Sequence, residues 1–365
     1  MTTSLTRNQP HAPQNRTMTE SHPPSAGLVP AVEFTRGGSV ESIHHAAAAV
    51  VDHSGRVLAR IGDPQRVTLT RSSLKPFQAL AAVLRGYPER FGLAARHLAL
   101  GCASHSGEPQ HIQTAQEILD AIGAGIADLH CGVHIPLHLK ADEGGIPPRS
   151  EFSAIHNNCS GKHSTMLALA RLLDAPLAGY LDYGHPVQVA IREAITAATG
   201  CDVARAAWGI DGCSAPNYAM PLAALATGFA RYARAVARPE SELDATDRAA
   251  ATIARAMMAH PEMVSGTGRF DLTLSNALDR AIFAKSGAEA IQGVGIPSKG
   301  WGVVIKIGDG AGRGLPPLMV SLLDQLGVLD DAARARLESV GAPRLKNLRG
   351  LEVGAARCVA RVEWL

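Results

Sequence analysis

Residues 72–76, Ser-Ser-Leu-Lys-Pro, restrict the possible structures of this chain more than any other stretch. Proline lacks an amide hydrogen and clashes with the preceding helical turn, so Pro76 is tolerated only in the first turn of a helix. The apolar, alanine-rich run 77–84 is typical of that helix. The sequence therefore predicts that Ser72 lies at or just before a helix N-terminus, directly after the strand-like run 67–71.

The three-residue step from Ser72 to Lys75 places both side chains on one face of a helix. Free backbone amides at a helix N-terminus favour developing negative charge. A lysine at this distance can also act as the base for a serine nucleophile. Most Ser-x-x-Lys matches are an ordinary cap beside a solvated lysine, so the nucleophile hypothesis depends on signals elsewhere in the chain.

Strand-like patterns occur near both ends of the chain, and helical patterns fill its middle. We expect an α+β fold in which both chain ends, about 28–70 and 280–365, form one antiparallel sheet. A helical region, about 72–279, is inserted between them. The apolar run 98–100 is interpreted as a strand, and 357–364 as the final strand. Helices are predicted at 77–84, 108–122, 162–173, 186–198, 221–236, 246–260, 315–327 and 330–340.

The length of 365 residues, with 46% hydrophobic residues, allows a sizeable core, and we predict a single domain over 28–365. A net charge of +2 indicates neither a nucleic-acid groove nor a polybasic membrane surface. No apolar run is long enough to span a bilayer. Neither nucleic acid nor a membrane is therefore expected as a partner.

Residues 1–27 are rich in Pro, Ser, Thr, Asn and His, which is typical of a disordered leader. They lack the apolar central region of a signal peptide. The expected location is therefore the cytoplasm, where scattered cysteines stay reduced and serve as buried hydrophobes, metal ligands or catalytic groups.

A second chemical signal is Lys285-Ser286-Gly287, which follows one apolar run and precedes another. It is close to the Lys-Thr-Gly triad that accompanies Ser-x-x-Lys in serine β-lactamases and penicillin-binding proteins. Lys285 could hold positive charge over the nucleophile or bind a carboxylate, and Gly287 would allow a substrate close to the strand. The alternative is a surface lysine before a turn.

Ser104, in Cys102-Ala103-Ser104-His105-Ser106, is a candidate for the middle element of such a site. It could relay a proton between Lys75 and Ser72, or it could simply be an N-cap. The Ser-x-Asn form of this element is absent because Ser106 stands where Asn would, which argues against a β-lactam substrate.

Two cysteines stand in separate turn-like segments, Cys159 before Ser-Gly-Lys-His and Cys213 after Asp211-Gly212. Two thiolates could bind one borderline metal such as zinc, with Lys162 or His163 as a further ligand. Lysine would have to lose its proton first. Buried free cysteines are the alternative that the residues leave open.

Together these motifs resemble the bacterial L-asparaginases of the Rhizobium etli type, also called class 3 asparaginases. The matching motifs follow one another in family order and extend from about residue 37 to 309. They are Arg36-Gly37-Gly38 with Glu41, Arg71-Ser72-x-x-Lys75-Pro76, Cys102-Ala103-Ser104-His105-Ser106, Asn158-Cys159-Ser160-Gly161-Lys162-His163, Trp208-Gly209-x-Asp211-Gly212-Cys213, His260-Pro261-Glu262-Met263-Val264 and Lys285 with Gly287. Ser73 departs from the small apolar residue expected after the nucleophile.

The resemblance implies the serine β-lactamase and glutaminase fold and the hydrolysis of L-asparagine to L-aspartate and ammonia. It makes Ser72 the nucleophile and Lys75 its base, with Ser104 and Lys285 relaying protons or holding charge. It further implies a homodimer and a zinc ion. The zinc ligands fall on Cys159, Cys213 and Lys162, and the pocket residues on Arg71, His105, His163 and Asp211.

Two alternatives remain beside an asparaginase. One is a glutaminase or another small-amide amidase on the same fold, which would differ only in pocket length. The other is a non-catalytic protein that binds a small amide, against which the intact Ser72, Lys75, Ser104 and Lys285 argue.

Overall fold

The computed structural model describes residues 26–139 and 145–365, so most of the predicted leader lies outside the described residues. The strands are β1 (Val29–Arg36), β2 (Ser39–Val51), β3 (Val57–Ile61), β4 (Val67–Leu69), β5 (Trp208–Ile210), β6 (Pro216–Pro221), β7 (Phe283–Gly287), β8 (Ile291–Ile296), β9 (Trp301–Ile307), β10 (Arg344–Lys346), β11 (Glu352–Cys358) and β12 (Glu363–Trp364). The helices are α1 (Lys75–Val83), α2 (Ala95–Gly101), α3 (Pro109–Ile122), α4 (Ser160–Leu172), α5 (Pro186–Thr199), α6 (Leu222–Ala237), α7 (Ala245–Ala259), α8 (Pro261–Val264), α9 (Phe270–Ala277), α10 (Leu315–Gln325) and α11 (Asp331–Gly341).

The main sheet contains strands from both ends of the chain. Its order is β10-β11-β1-β2-β9-β8-β7, and β3 pairs with both β2 and β12. All of these pairings are antiparallel. The helices α1–α9 lie between β3 and β7 in the sequence. The predicted α+β architecture, a sheet from both chain ends with an inserted helical region, is therefore confirmed.

Strand β2 forms the centre of this sheet, and both of its faces are covered. Residues 46–51, Ala-Ala-Ala-Ala-Val-Val, are all fully buried. Ala47, Ala49 and Val51 belong to the core shared with the inserted helices, whereas the alternate residues belong to the core beneath α10 and α11. A strand that is buried on both faces needs apolar residues at every position, and residues 46–51 meet this requirement.

Helix α6 packs against β8 and β9 at very short range. A Cβ atom on Gly302 would lie 1.9 Å from the carbonyl oxygen of Ala226. Glycine is therefore required in β9 for the helix to approach this closely. This contact attaches the helical region to the sheet.

One predicted strand is wrong, and a second is wrong in part. The run 98–100 lies in helix α2, because short apolar runs fit a buried helix as well as a strand. The predicted final strand 357–364 is instead the end of β11 and the two-residue β12, separated by an irregular segment. A small second sheet, with order β4-β6-β5, was not predicted in full, because only β4 gave a strand signal.

Every helix in residues 26–139 and 145–365 is too short or too polar to cross a membrane.

We predict that Gly302→Ala lowers the free energy of unfolding by about 1–3 kcal/mol or more, because its methyl group overlaps α6. Urea denaturation measures the change. Gly312→Ala is the matched control, since a Cβ there has no atom within 4 Å. Equal stability of the two variants would contradict the close packing of α6.

Candidate active site

Ser72 lies in a single 3-10 turn, Arg71–Leu74, that leads directly into α1 at Lys75. Pro76 occupies the first turn of α1, as predicted. The residue before Ser72 is strained, because Arg71 has φ of +49°. Its backbone N–H donates to Asn217 Oδ1 at 3.1 Å and its Nε donates to Asp211 Oδ1 at 2.9 Å. These contacts hold a conformation that is otherwise costly and that is typical of functional sites.

The end of strand β7 packs against the backbone of this turn. A Cβ atom on Gly287 would lie 3.1 Å from Ser72 N and 3.1 Å from Arg71 Cβ. Glycine therefore lets the strand that carries Lys285 approach the candidate nucleophile. The fold thus brings into contact two predicted motifs that lie near opposite ends of the inserted helical region in the sequence.

Lys75 is buried at the start of α1, and its ammonium group faces three acceptors. Its Nζ donates to Ser104 Oγ at 2.9 Å, to Cys159 Sγ at 3.2 Å and to the carbonyl oxygen of Ala103. These acceptors use all three hydrogens of an ammonium group. The backbone N–H of Lys75 donates to the carbonyl oxygen of Ser72. In residues 26–139 and 145–365 no hydrogen bond joins Lys75 Nζ to Ser72 Oγ, and Lys75 Nζ donates to Ser104 instead.

Ser104 is buried in the loop after helix α2, and not after a strand as the sequence suggested. Its N–H donates to the carbonyl oxygen of Val264 at 3.0 Å, at the end of α8. The next residue, His105, donates its N–H to the carbonyl oxygen of Asn158 at 3.1 Å. The motif at residues 260–264 therefore fixes the backbone position of Ser104 through the carbonyl oxygen of Val264.

Lys285 is fully buried on β7, and its Nζ donates to the carbonyl oxygen of Ser286 at 2.6 Å. The carboxylate of Asp271 lies 3.9 Å from the same Nζ. Burial lowers the pKa of Lys285 to about 7, although the Asp271 charge opposes this change. Lys285 can therefore lose its proton near neutral pH.

Cys159, Cys213 and Lys162, the expected zinc ligands, are all buried. Lys162 Nζ donates to Cys213 Sγ at 2.9 Å. A hydrogen bond from Cys159 and the charge of Lys162 hold the pKa of Cys213 far below its usual range, despite burial. The cluster therefore pairs a thiolate with an ammonium group.

His163 and His105, two predicted pocket residues, are both fully buried. His163 Nδ1 lies 2.5 Å from Tyr180 Oη, which also accepts the N–H of His130 at 3.0 Å. Burial lowers the pKa of His163 to about 4. His105 Nε2 lies 2.9 Å from Ser160 Oγ, and its Nδ1 accepts the N–H of Gly107 at 3.1 Å.

The donor chemistry of this cluster fits a zinc ion. Zinc prefers thiolate sulfur and imidazole nitrogen in a tetrahedral arrangement. Cys159 and Cys213 supply the sulfurs, and His163 Nε2 is buried without a hydrogen-bond partner among the described residues. In the part of the chain that the structure describes, no group of three or more His, Cys, Asp or Glu side chains has metal-binding geometry. A zinc site here would therefore need Lys162.

Three residues at the site carried no signal in the sequence. Asp271 opens helix α9 and looks like any acidic first-turn residue. Asn217 lies in the unpredicted strand β6, and Tyr180 lies in a loop. Only their partners, which are distant in sequence, reveal their positions.

Comparisons with known proteins identify a family. A family model described as L-asparaginase II matches residues 32–358. No curated protein matches the chain. A crystal structure of a beta-lactamase from Mycobacterium bovis is 17% identical, with a TM-score of 0.40, and the match covers 77% of this chain and 94% of that one. Mglu in its native form is 13% identical, with a TM-score of 0.35 and coverage of 78% and 65%.

We predict that Tyr180→Phe lowers the free energy of unfolding by about 1–3 kcal/mol, because a buried imidazole nitrogen and a backbone N–H lose their partner. Tyr232→Phe is the matched control. That tyrosine is equally buried but makes a single 3.3 Å hydrogen bond to the carbonyl oxygen of Pro76. Urea denaturation compares the variants, and a larger loss in the control would refute the prediction.

Proposed function

The chain belongs to the L-asparaginase II family, and on that basis we propose that it hydrolyses L-asparagine to L-aspartate and ammonia. We place it in the Rhizobium etli-type subgroup, whose motifs the sequence resembles. The proposal rests on the contacts that bring the segments carrying Ser72, Lys75, Ser104 and Lys285 together. Ser72 lies at a helix start, Lys75 bonds to Ser104, and the Lys285 strand packs against Ser72.

In the proposed reaction Ser72 Oγ attacks the side-chain carboxamide carbon of asparagine. The carbon–nitrogen bond breaks, the amide nitrogen takes up a proton, and ammonia leaves an ester on Ser72. Water then attacks this ester, releases L-aspartate and returns the proton to Ser72. Free N–H groups at the helix start favour the negative charge that develops in both steps.

Lys75 is the proposed base for Ser72, and Ser104 relays protons to it. In the resting structure Lys75 donates to three acceptors, so it must first release a proton. Lys285, whose pKa burial lowers to about 7, can take part in this exchange or hold the developing charge. Catalytic hydrogen bonds often form only in the substrate complex, which is consistent with the lack of a hydrogen bond between Lys75 Nζ and Ser72 Oγ in the resting structure.

Substrate binding is assigned to Arg71, Asp211, His105 and His163. Arg71 and Asp211 form an ion pair of 2.9 Å next to Ser72. A free amino acid carries one carboxylate and one ammonium group, which this cation and anion match. His105 and His163, both fully buried, are the other two proposed pocket residues.

For zinc, we propose Cys159, Cys213 and Lys162 as ligands. When bound, the ion would supply a Lewis acid beside the pocket. The homodimer and the cytoplasmic location remain predictions from the sequence.

We predict that Ser72→Ala reduces ammonia release from asparagine by about 1,000-fold or more, because the nucleophile is lost. Ser73→Ala is the matched control. Ser73 Oγ donates to the carbonyl oxygen of Thr70 at 2.6 Å and takes no part in the proposed reaction, so most activity should remain. Full activity in Ser72→Ala would exclude the assignment.

A substrate panel separates the alternatives. Wild type is assayed for ammonia release from asparagine, glutamine and other small amides. Preference for asparagine supports the proposal, whereas preference for glutamine identifies a glutaminase. Release from none of them identifies a binding protein.

We predict one zinc ion per chain in purified wild type, measured by elemental analysis, and its loss in Cys159→Ser and Cys213→Ser. Cys201→Ser is the control, because Cys201 is partly exposed and does not belong to the cluster. Wild-type protein without zinc would refute the site.

A further inference from the structure

Asp271 is a buried carboxylate that the proposed reaction does not yet use. It lies at the start of α9 and accepts three hydrogen bonds. Its Oδ2 accepts from Ser286 N at 2.9 Å and from Ser286 Oγ at 2.8 Å, and its Oδ1 accepts from Gln292 Nε2 at 2.6 Å. Both oxygens of the Asp271 carboxyl group therefore take part in hydrogen bonds to β7 and β8.

These hydrogen bonds fix the strand end that approaches the nucleophile. Ser286 stands between Lys285, which is 3.9 Å from the Asp271 carboxylate, and Gly287, which packs on Ser72 N. By binding Ser286, Asp271 therefore restrains the positions of both Lys285 and Gly287. Gln292 uses its Nε2 group as the donor to Asp271, whereas its Oε1 has no hydrogen-bond partner among the described residues.

We propose that Asp271 is a positioning residue for the amidase reaction, which sets the place and the charge of Lys285 beside Ser72. This inference rests on the proposed function. Asp271 contacts Ser286, Gln292 and Lys285, and in this proposal it acts through Lys285.

The charges facing Lys285 come from several elements. Asp271 and Arg269 lie at the start of α9, Lys75 on α1, and Cys159 before α4. The charge of Lys285 also interacts with the thiol of Cys102, which follows α2. Asp271 and Cys159 raise the pKa of Lys285, and Lys75 and Arg269 lower it. Removing the Asp271 charge therefore moves the titration of Lys285 to lower pH.

The test is Asp271→Asn, which keeps the shape and removes the charge. The chain has only seven lysines, so NMR of enzyme with isotope-labelled lysine side chains can follow Lys285 in the resting protein, with Lys285→Arg assigning its signal. We expect the Lys285 midpoint to fall by about one pH unit. We expect kcat to fall on the order of 100-fold with KM little changed, because the reacting groups are displaced.

Gln292→Met is the matched control, since it removes one hydrogen bond to Asp271 and leaves the charge in place. It should leave the Lys285 midpoint within a few tenths of a pH unit of wild type. An unchanged midpoint in Asp271→Asn would overturn the proposal, even if activity fell. If Asp271→Asn does not fold, Asp271→Glu should keep the wild-type midpoint and lower kcat, and a lowered midpoint there would overturn it.

The titration needs no substrate. If wild type releases no ammonia from any amide, the proposed function fails, while the coupling of Asp271 to Lys285 is still measured.

Discussion

Burial of three lysines in one small volume is the constraint on which the rest of this site depends. A buried ammonium group is costly unless it is paired and hydrogen-bonded. Lys75 has three acceptors, Lys162 has the Cys213 thiolate, and Lys285 has a carbonyl and a nearby carboxylate. The partners differ, and so do the effects: burial lowers the pKa of Lys285 to about 7, whereas the charges of Cys213 and Cys159 raise the pKa of Lys162 despite its burial.

The fold meets this constraint by drawing each partner from a different segment. The start of α1, the loop after α2, the start of α4, the turn between β5 and β6, and the strand β7 all meet at one place. The sheet positions β7, and the tight packing of α6 on β9 attaches the helical region to that sheet. Each segment carries only one or two of the reacting groups, so no segment forms the site alone.

The sequence predicted the elements whose periodicity is long or whose turns are explicit. Pro76 placed Ser72 at a helix start, and the helices of ten or more residues matched closely. It could not place Asp271, Asn217 or Tyr180, because ordinary polar residues acquire a role only through partners far away in the chain. The run 98–100 was misread for a related reason, since three apolar residues have no measurable period.

The order of strands has a consequence for biosynthesis. Strands β1 and β2 leave the ribosome early, whereas their partners β11 and β9 follow much later in the sequence. Contacts between such distant segments close large loops and fold slowly. We therefore expect the pairing of β1 with β11 and of β2 with β9 to form only after β11 and β9 have left the ribosome.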